Sequence, residues 1–130
     1  MFKILVLDDD QSNAEVIQAV LEDQSYLVTG INSSDELETA ITDFHPDLIV
    51  MDILLDKADG RELCNTIKGN PTTQDIPVLL ITAMLESEAY RIPSLAEGII
   101  FKPFDYAKLH RKVNRLISSI PRQRDRTRLR

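Results

Sequence analysis

Only one cysteine, Cys64, occurs in the 130 residues, so an internal disulfide is excluded. It lies in Glu62-Leu63-Cys64-Asn65, inside a helical pattern, where a small buried apolar residue is a simpler reading than a reactive thiol. Long apolar runs are missing too: none approaches the ~20 residues of a membrane span. The apolar start, Met1-Phe2-Lys3-Ile4-Leu5-Val6-Leu7, ends at three aspartates and not at a small-residue cleavage site, so no signal peptide is read and a cytoplasmic location is expected. Histidine is scarce. His45 precedes Pro46 in a loop and His110 falls on the last helical stretch, so neither pairs with an obvious nucleophile. Positive charge is sparse in most of the chain. The formal net charge is −6, yet Arg122 to Arg130 holds five arginines against one aspartate, a tail of +4 that leaves the body at −10. An acidic body argues against nucleic-acid binding by the domain itself, and no membrane partner is expected. The tail reads as a solvated end or a linker stub; the alternative is a contact with an acidic partner or nucleic acid. There is no internal repeat and no interior linker. One domain over residues 1–120, followed by the basic stretch 121–130, fits this length, and a chain of this size buries roughly two-thirds of its unfolded surface without needing a staple.

What is present is an alternation of short apolar runs with amphipathic stretches. The runs are Ile4–Leu7, Tyr26–Val28, Leu48–Met51, Val78–Ile81 and Ile99–Phe101. Each is short, unbroken and β-branched in part, as suits parallel strands covered on both faces. Between them, helices are expected over Gln11 to Asp23, burying Ala14, Ile17, Val20 and Leu21, and over Gly60 to Lys68, burying Leu63, Cys64 and Ile67. Leu37, Ala40, Ile41 and Phe44 repeat at the spacing of one buried helix face, with Ser33 and Glu36 placed as a capping box. Leu109, Val113, Leu116, Ile117 and Ile120 mark a last helix. The stretch Glu86 to Ala96 is the weakest, because Pro93 lacks an N–H and clashes with the preceding turn, so a short or irregular helix is expected. Five strands alternating with five helices predict an α/β fold of the (βα)5 kind, with right-handed crossovers.

Such folds bind ligands beyond the carboxyl ends of their strands. The first run delivers Asp8, Asp9 and Asp10 there, the third Asp52, the fourth Thr82 and the fifth Lys102. Clustered carboxylates repel, and a hard divalent cation relieves them; Mg²⁺ keeps several waters and needs only two or three acidic ligands. A carboxylate beside the metal would be the nucleophile toward a phosphoryl group, with the lysine and hydroxyl holding the phosphoryl oxygens. Each residue also has a plainer reading: Asp10 as a helix cap, Thr82 as a turn residue, Lys102 as a solvated lysine.

The segments Ile4-Leu5-Val6-Leu7-Asp8-Asp9-Asp10, Asp47-Leu48-Ile49-Val50-Met51-Asp52, Asp59-Gly60, Ile81-Thr82-Ala83 and Lys102-Pro103-Phe104 resemble the receiver domains of two-component response regulators, including single-domain chemotaxis-type receivers. The resemblance runs from about Lys3 to Ser119. It implies a flavodoxin-like, doubly wound sandwich with a five-stranded parallel sheet in the order 2-1-3-4-5. By position it implies that Asp52 is the phosphoacceptor and that Asp9, Asp8, Asp52 and the Leu54 backbone carbonyl hold Mg²⁺. Thr82 would move toward the phosphoryl group, Lys102 would pair with it, the Lys102–Pro103 bond would be cis, and the small Ala83 would leave the site open. The donor would be a histidine kinase or a histidine phosphotransfer protein; the downstream target stays unnamed. The implied protein is a switch and not a turnover enzyme, acting alone or cut from a longer chain.

The chain departs from the family in places. Ile99 stands at the usually aromatic switch position, three before Lys102, while Phe101 sits next to the lysine. Asp56 replaces the common proline after the phosphoacceptor, and Pro93 lies in a slightly short interval between Thr82 and Lys102. The usual aromatic–threonine switch and the usual dimer through the fourth helix, fifth strand and fifth helix are therefore not assumed. Leu54 and Met84, both apolar, occupy positions that tune dephosphorylation, so slow hydrolysis is expected. Two alternatives stay open. One is a receiver-like interaction module that is never phosphorylated. The other is a phosphatase of the haloacid-dehalogenase kind, with Asp8 as nucleophile in an Asp-x-Asp opening.

Overall fold

The computed structural model describes residues 1–120. The basic stretch Arg122 to Arg130 lies outside them. Five strands, β1 (Lys3–Leu7), β2 (Leu27–Ile31), β3 (Leu48–Asp52), β4 (Val78–Thr82) and β5 (Gly98–Phe101), form one parallel sheet in the order β2-β1-β3-β4-β5. The helices between them are α1 (Gln11–Asp23), α2 (Leu37–Phe44), α3 (Gly60–Lys68), α4 (Glu86–Ala89) and α5 (Tyr106–Ser118). This is the doubly wound α/β sandwich with the strand order the resemblance implied.

The pleat sorts the apolar runs onto two faces. Ile4, Val6, Leu48, Val50, Leu79, Ile81 and Ile100 pack under α1 and α5. Leu5, Leu7, Ile49, Met51, Val78 and Leu80 pack under α2, α3 and α4. All five residues of β3 and all five of β4 are buried, which is why their sequences show no alternation. β2 is an edge strand, and only Val28 and Ile31 are buried in it. Its alternating, weakly apolar second half explains why periodicity placed the strand at Tyr26–Val28, whereas it pairs with β1 as far as Leu7↔Ile31.

Aspartates start three helices. Asp10, Asp59 and Asp105 accept the amides of Asn13, Arg61 and Lys108 at 3.1, 2.8 and 2.7 Å, caps worth about 1 kcal/mol each. The capping box at Ser33 takes another form. Ser33 Oγ accepts the Asp35 amide at 3.2 Å, and a 3₁₀ turn, Ser34–Glu36, precedes α2. Of the predicted face of α2 only Leu37 is fully buried, because this short helix lies over the open side of the sheet near β2. The positive φ of His45 (53°) ends α2 just before Pro46. α4 stops after four residues, as expected from Pro93, and the chain to β5 is irregular.

Candidate functional site

The order reverses between β1 and β3, and the crevice beyond that point is where doubly wound sheets bind ligands. Asp8 and Asp9 follow β1, Asp52 ends β3, Thr82 ends β4 and Lys102 follows β5, so parallel register brings them to one edge. Asp52 is 9% exposed. Its Oδ2 accepts Lys102 Nζ at 3.1 Å and its Oδ1 accepts the Leu54 amide at 3.1 Å. Asp8, 3% exposed, accepts the Asp10 amide through Oδ1 at 2.9 Å. Burial pushes its carboxyl above the ordinary range; the neighbouring Asp52 and Asp9 push the same way, while the Asp10 amide and Lys102 oppose them. Asp9 Oδ2 accepts the Asp56 amide at 2.6 Å. A proline at 56 has no N–H to give, so this bond belongs to the departure at that position.

Thr82 is fully buried; its Oγ1 accepts the Met84 amide at 3.0 Å, and its carbonyl accepts the Lys102 amide at 2.7 Å. The Lys102–Pro103 peptide is cis. Ala83 and Pro103 are exposed at the rim, and Leu54 is 55% exposed in the loop after Asp52. Ile99 is half-buried on the α4 face of β5, as is Phe101, so the pleat puts both on the same side. Asp10 caps α1, its plainer reading.

Among the described residues no three His, Cys, Asp or Glu side chains are grouped closely enough to hold a metal ion by themselves. Asp9 takes the amide of Asp56 and Asp52 the ammonium of Lys102, so the carboxylates of Asp8, Asp9 and Asp52 share an edge without converging on one point. The donor chemistry still suits a hard cation. All candidate ligands are oxygens, and the acidity of Asp8 is suppressed by burial beside two further carboxylates.

Sequence reasoning gave no role to three groups, two of them beside the site and one at the far end of β4. Gly60 sits against the acceptor strand: a Cβ there would lie 2.4 Å from the Asp52 carbonyl oxygen. Arg61, 5% exposed, pairs with Asp59, and Glu97 accepts the Val78 amide at 2.7 Å to hold the start of β4. The available signal was polar residues 61, 65 and 68 at helical spacing on α3, which amphipathicity alone assigns to solvent.

The Arg61 guanidinium, chiefly by hydrogen bonding, holds the Asp59 carboxyl below the usual carboxylate range. A depressed folded value adds stability above the unfolded-chain value of about 3.9, and that stability is lost as pH falls through the folded value. Asp59→Asn is therefore expected to be less stable than the parent at pH 6, with the gap beginning to shrink near about pH 3.9 and closing only as pH falls through the lower folded value. Asp8, shifted the other way, is common to both proteins and cancels. Urea midpoints measured across that range check this; a gap that persists unchanged at low pH counts against it.

No helix among the described residues is long and apolar enough to cross a membrane. The family model for the response regulator receiver domain matches residues 4–114. The response regulator PleD of Caulobacter vibrioides is 36% identical over 118 residues, which are 88% of this chain and 26% of PleD. The signal receiver domain of a signal transduction histidine kinase from Syntrophus aciditrophicus is 29% identical, with a TM-score of 0.84 and 94% of each chain covered. The BeF3-activated DrrB receiver domain is 25% identical, with a TM-score of 0.80 over 91% of this chain and 98% of that one. The chain spans between about a quarter and about half the length of the curated relatives it matches. With a matching fold and a family match over most of its length, this chain belongs to the response regulator receiver domain family.

Proposed function

We propose that the chain is a phosphorylation-controlled switch that accepts a phosphoryl group on Asp52. The observation that carries this reading is the Asp52–Lys102 pair at the carboxyl edge of the sheet, flanked by Asp8, Asp9 and Thr82. A donor phosphohistidine, on a histidine kinase or a histidine phosphotransfer protein, presents its phosphorus to Asp52. An Asp52 carboxylate oxygen forms the new P–O bond, the P–N bond breaks with its electron pair going to nitrogen, and the donor imidazole, already protonated on its other ring nitrogen, leaves neutral. The product is an acyl phosphate. Lys102 already touches Asp52 and is placed to balance the added charge. Thr82 Oγ1 keeps a hydroxyl proton to donate while accepting the Met84 amide, so its movement toward the phosphoryl group would pull on the segment after β4. Asp8, Asp9, Asp52 and the Leu54 carbonyl would hold Mg²⁺, which neutralises phosphoryl oxygens when bound.

A cytoplasmic switch of this kind passes its signal by contact with a downstream protein, and turnover of free phosphate esters is not expected. Asp52 carries the Lys102 ammonium that would balance an added phosphoryl group, whereas Asp8 has Oδ1 on the Asp10 amide, so Asp52 is the better placed nucleophile. The test is incubation with acetyl phosphate or phosphoramidate, with Mg²⁺ or with a chelator. Intact mass should show one phosphoryl group added only in the presence of Mg²⁺. No gain under conditions where Mg²⁺ binds would favour the module that is never phosphorylated.

The acyl phosphate is expected to be long-lived. Leu54 is exposed at the rim and Met84 follows Thr82 by two residues, and neither side chain can orient a water by a strong hydrogen bond. Leu54→Asn with Met84→Glu is expected to speed decay by roughly 10-fold or more, in keeping with general-base assistance. Equal decay rates for the two proteins would show that these positions do not set the lifetime.

A further inference from the structure

Three polar residues of α3, Arg61, Asn65 and Lys68, share one helix face and hold the chain between α4 and β5. Arg61 Nη1 donates to the carbonyls of Glu88 and Ala89 at 3.0 and 3.2 Å. Asn65 Nδ2 donates to the Pro93 carbonyl at 2.9 Å, and Asn65 Oδ1 accepts the Leu95 amide at 2.9 Å. Lys68 Nζ donates to Glu97 Oε2 at 2.6 Å and to the Ile76 carbonyl at 2.7 Å. A four-residue helix cannot sustain itself by its own hydrogen bonds, so α3 supplies what α4 lacks. A guanidinium on the last carbonyls of α4 also places positive charge at the negative end of the helix.

Arg61 differs from the other two because it also reaches the loop that carries Asp52. Its Nε and Nη2 donate to Asp59 Oδ1 and Oδ2 at 3.0 and 2.6 Å, a planar two-point pairing. Asp59 forms an isolated antiparallel bridge with Leu54, whose amide is on Asp52, and the Gly60 amide donates to the Ile53 carbonyl at 2.8 Å. From Asp52 to the end of α4, one side chain closes the path. Beyond it, the ring of Tyr90 packs on Phe101 with centroids 6.2 Å apart, and Phe101 is in register with Thr82.

We infer that Arg61 is a positioning residue that makes the acceptor loop and the C-terminal end of α4 one unit. Ligation at Asp52 is then passed to the Tyr90 surface through Asp59 and Arg61, not through residue 99. This inference rests on the phosphoacceptor reading. The physical case is that Arg61 is buried, and a buried cation moves with its partners because separation leaves it uncompensated. The planar fork transmits displacement of Asp59 to Nη1 and so to the Glu88 and Ala89 carbonyls. Ile99 has neither a ring nor a polar atom with which to do the same.

The experiment is amide exchange over residues 86–92 of the whole chain, with and without Mg²⁺ and beryllofluoride, a phosphoryl stand-in. Fluorine resonance reports whether beryllofluoride is bound. In the parent protein, bound beryllofluoride should change exchange there by about 5-fold or more. Arg61→Met keeps the volume of the stem, and Asp59→Asn keeps the helix cap; both should bind beryllofluoride yet show a change below about 2-fold, under the usual range of coupled sites. Arg61→Lys should restore part of the response. A full response in either uncharged variant overturns the inference, and so does a parent that binds beryllofluoride with no change at 86–92. A parent that binds none overturns the phosphoacceptor reading itself. If Arg61→Met fails to fold, Asp59→Asn decides.

Discussion

Asp52→Asn is expected to abolish uptake of a phosphoryl group from acetyl phosphate in the presence of Mg²⁺. An amide oxygen carries no full negative charge and cannot end as an acyl phosphate, so the loss is complete and not a matter of degree. The fold should survive. The carbonyl of the introduced amide would still accept the Leu54 N–H, a bond that spans 3.1 Å in the parent, and the site loses one of its crowded carboxylates. Lys102 loses its partner but is not deeply buried: its side chain keeps 24% exposure, so water can solvate the ammonium. Intact mass of parent and variant side by side is the measurement. Persisting mass gain in a folded Asp52→Asn protein would move the acceptor to another carboxylate, with Asp8 first in line, and revive the dehalogenase-like alternative. Loss of mass gain together with loss of helical circular dichroism would call for Asp52→Glu, which keeps charge and shifts the carboxylate by one methylene.

The second large effect concerns Gly60. It opens α3, and by helix propensity alone Gly→Ala there should stabilise by up to about 1 kcal/mol. The surroundings decide otherwise. A Cβ would stand 2.4 Å from the Asp52 carbonyl oxygen and 2.9 Å from Ile53 Cα, both backbone atoms of the acceptor strand and its exit. Backbone cannot swing aside as a flexible side chain would, so α3 or the loop must shift, and the 2.8 Å bond from the Gly60 amide to Ile53 is strained or lost. Overpacking against rigid neighbours costs about 3 kcal/mol, which outweighs the propensity gain. Gly60→Ala should therefore unfold at clearly lower urea and accept the phosphoryl group more slowly, since Asp52 and Leu54 lie on the displaced segment. A variant as stable as the parent would show that the helix entry yields easily, and would weaken any account in which this contact sets the acceptor geometry.

Much of the architecture is legible in the order of the amino acids. The unbroken runs at Ile4–Leu7, Leu48–Met51 and Val78–Ile81 announce buried parallel strands, and the bounds expected for α1 and α3 agree with those observed. The shortness of α4 follows from Pro93. Asp8, Asp9, Asp52, Thr82 and Lys102 are legible as candidates because each follows an apolar run, and chain order alone places such residues at strand ends. Their roles remain a proposal, but their arrival at one edge is a fact of the fold. Local pattern is weakest where burial is partial. β2, at the sheet edge, and the half-covered face of α2 carry diluted periodicity, and the end of β2 at Ile31 is set by pairing with β1.

What the sequence determined by itself is thus the fold class, the absence of disulfide chemistry and the set of acidic, hydroxyl and amino groups available at the strand ends. These follow from short-range rules: the period of apolar residues, the missing N–H of proline and the capping preference of aspartate. Only the tertiary structure decided which of these groups meet. The amide of Asp56 on Asp9, the closeness of Gly60 to the Asp52 carbonyl, and the grip of Arg61 on both Asp59 and α4 each join residues through three-dimensional register. Arg61 is the clearest case. One-dimensional pattern assigns a charged residue on a helix to solvent, because desolvating a cation is costly. The fold buries it because a carboxylate and two helix-end carbonyls, one 2 residues away and the others 27 and 28 away, are brought within reach together.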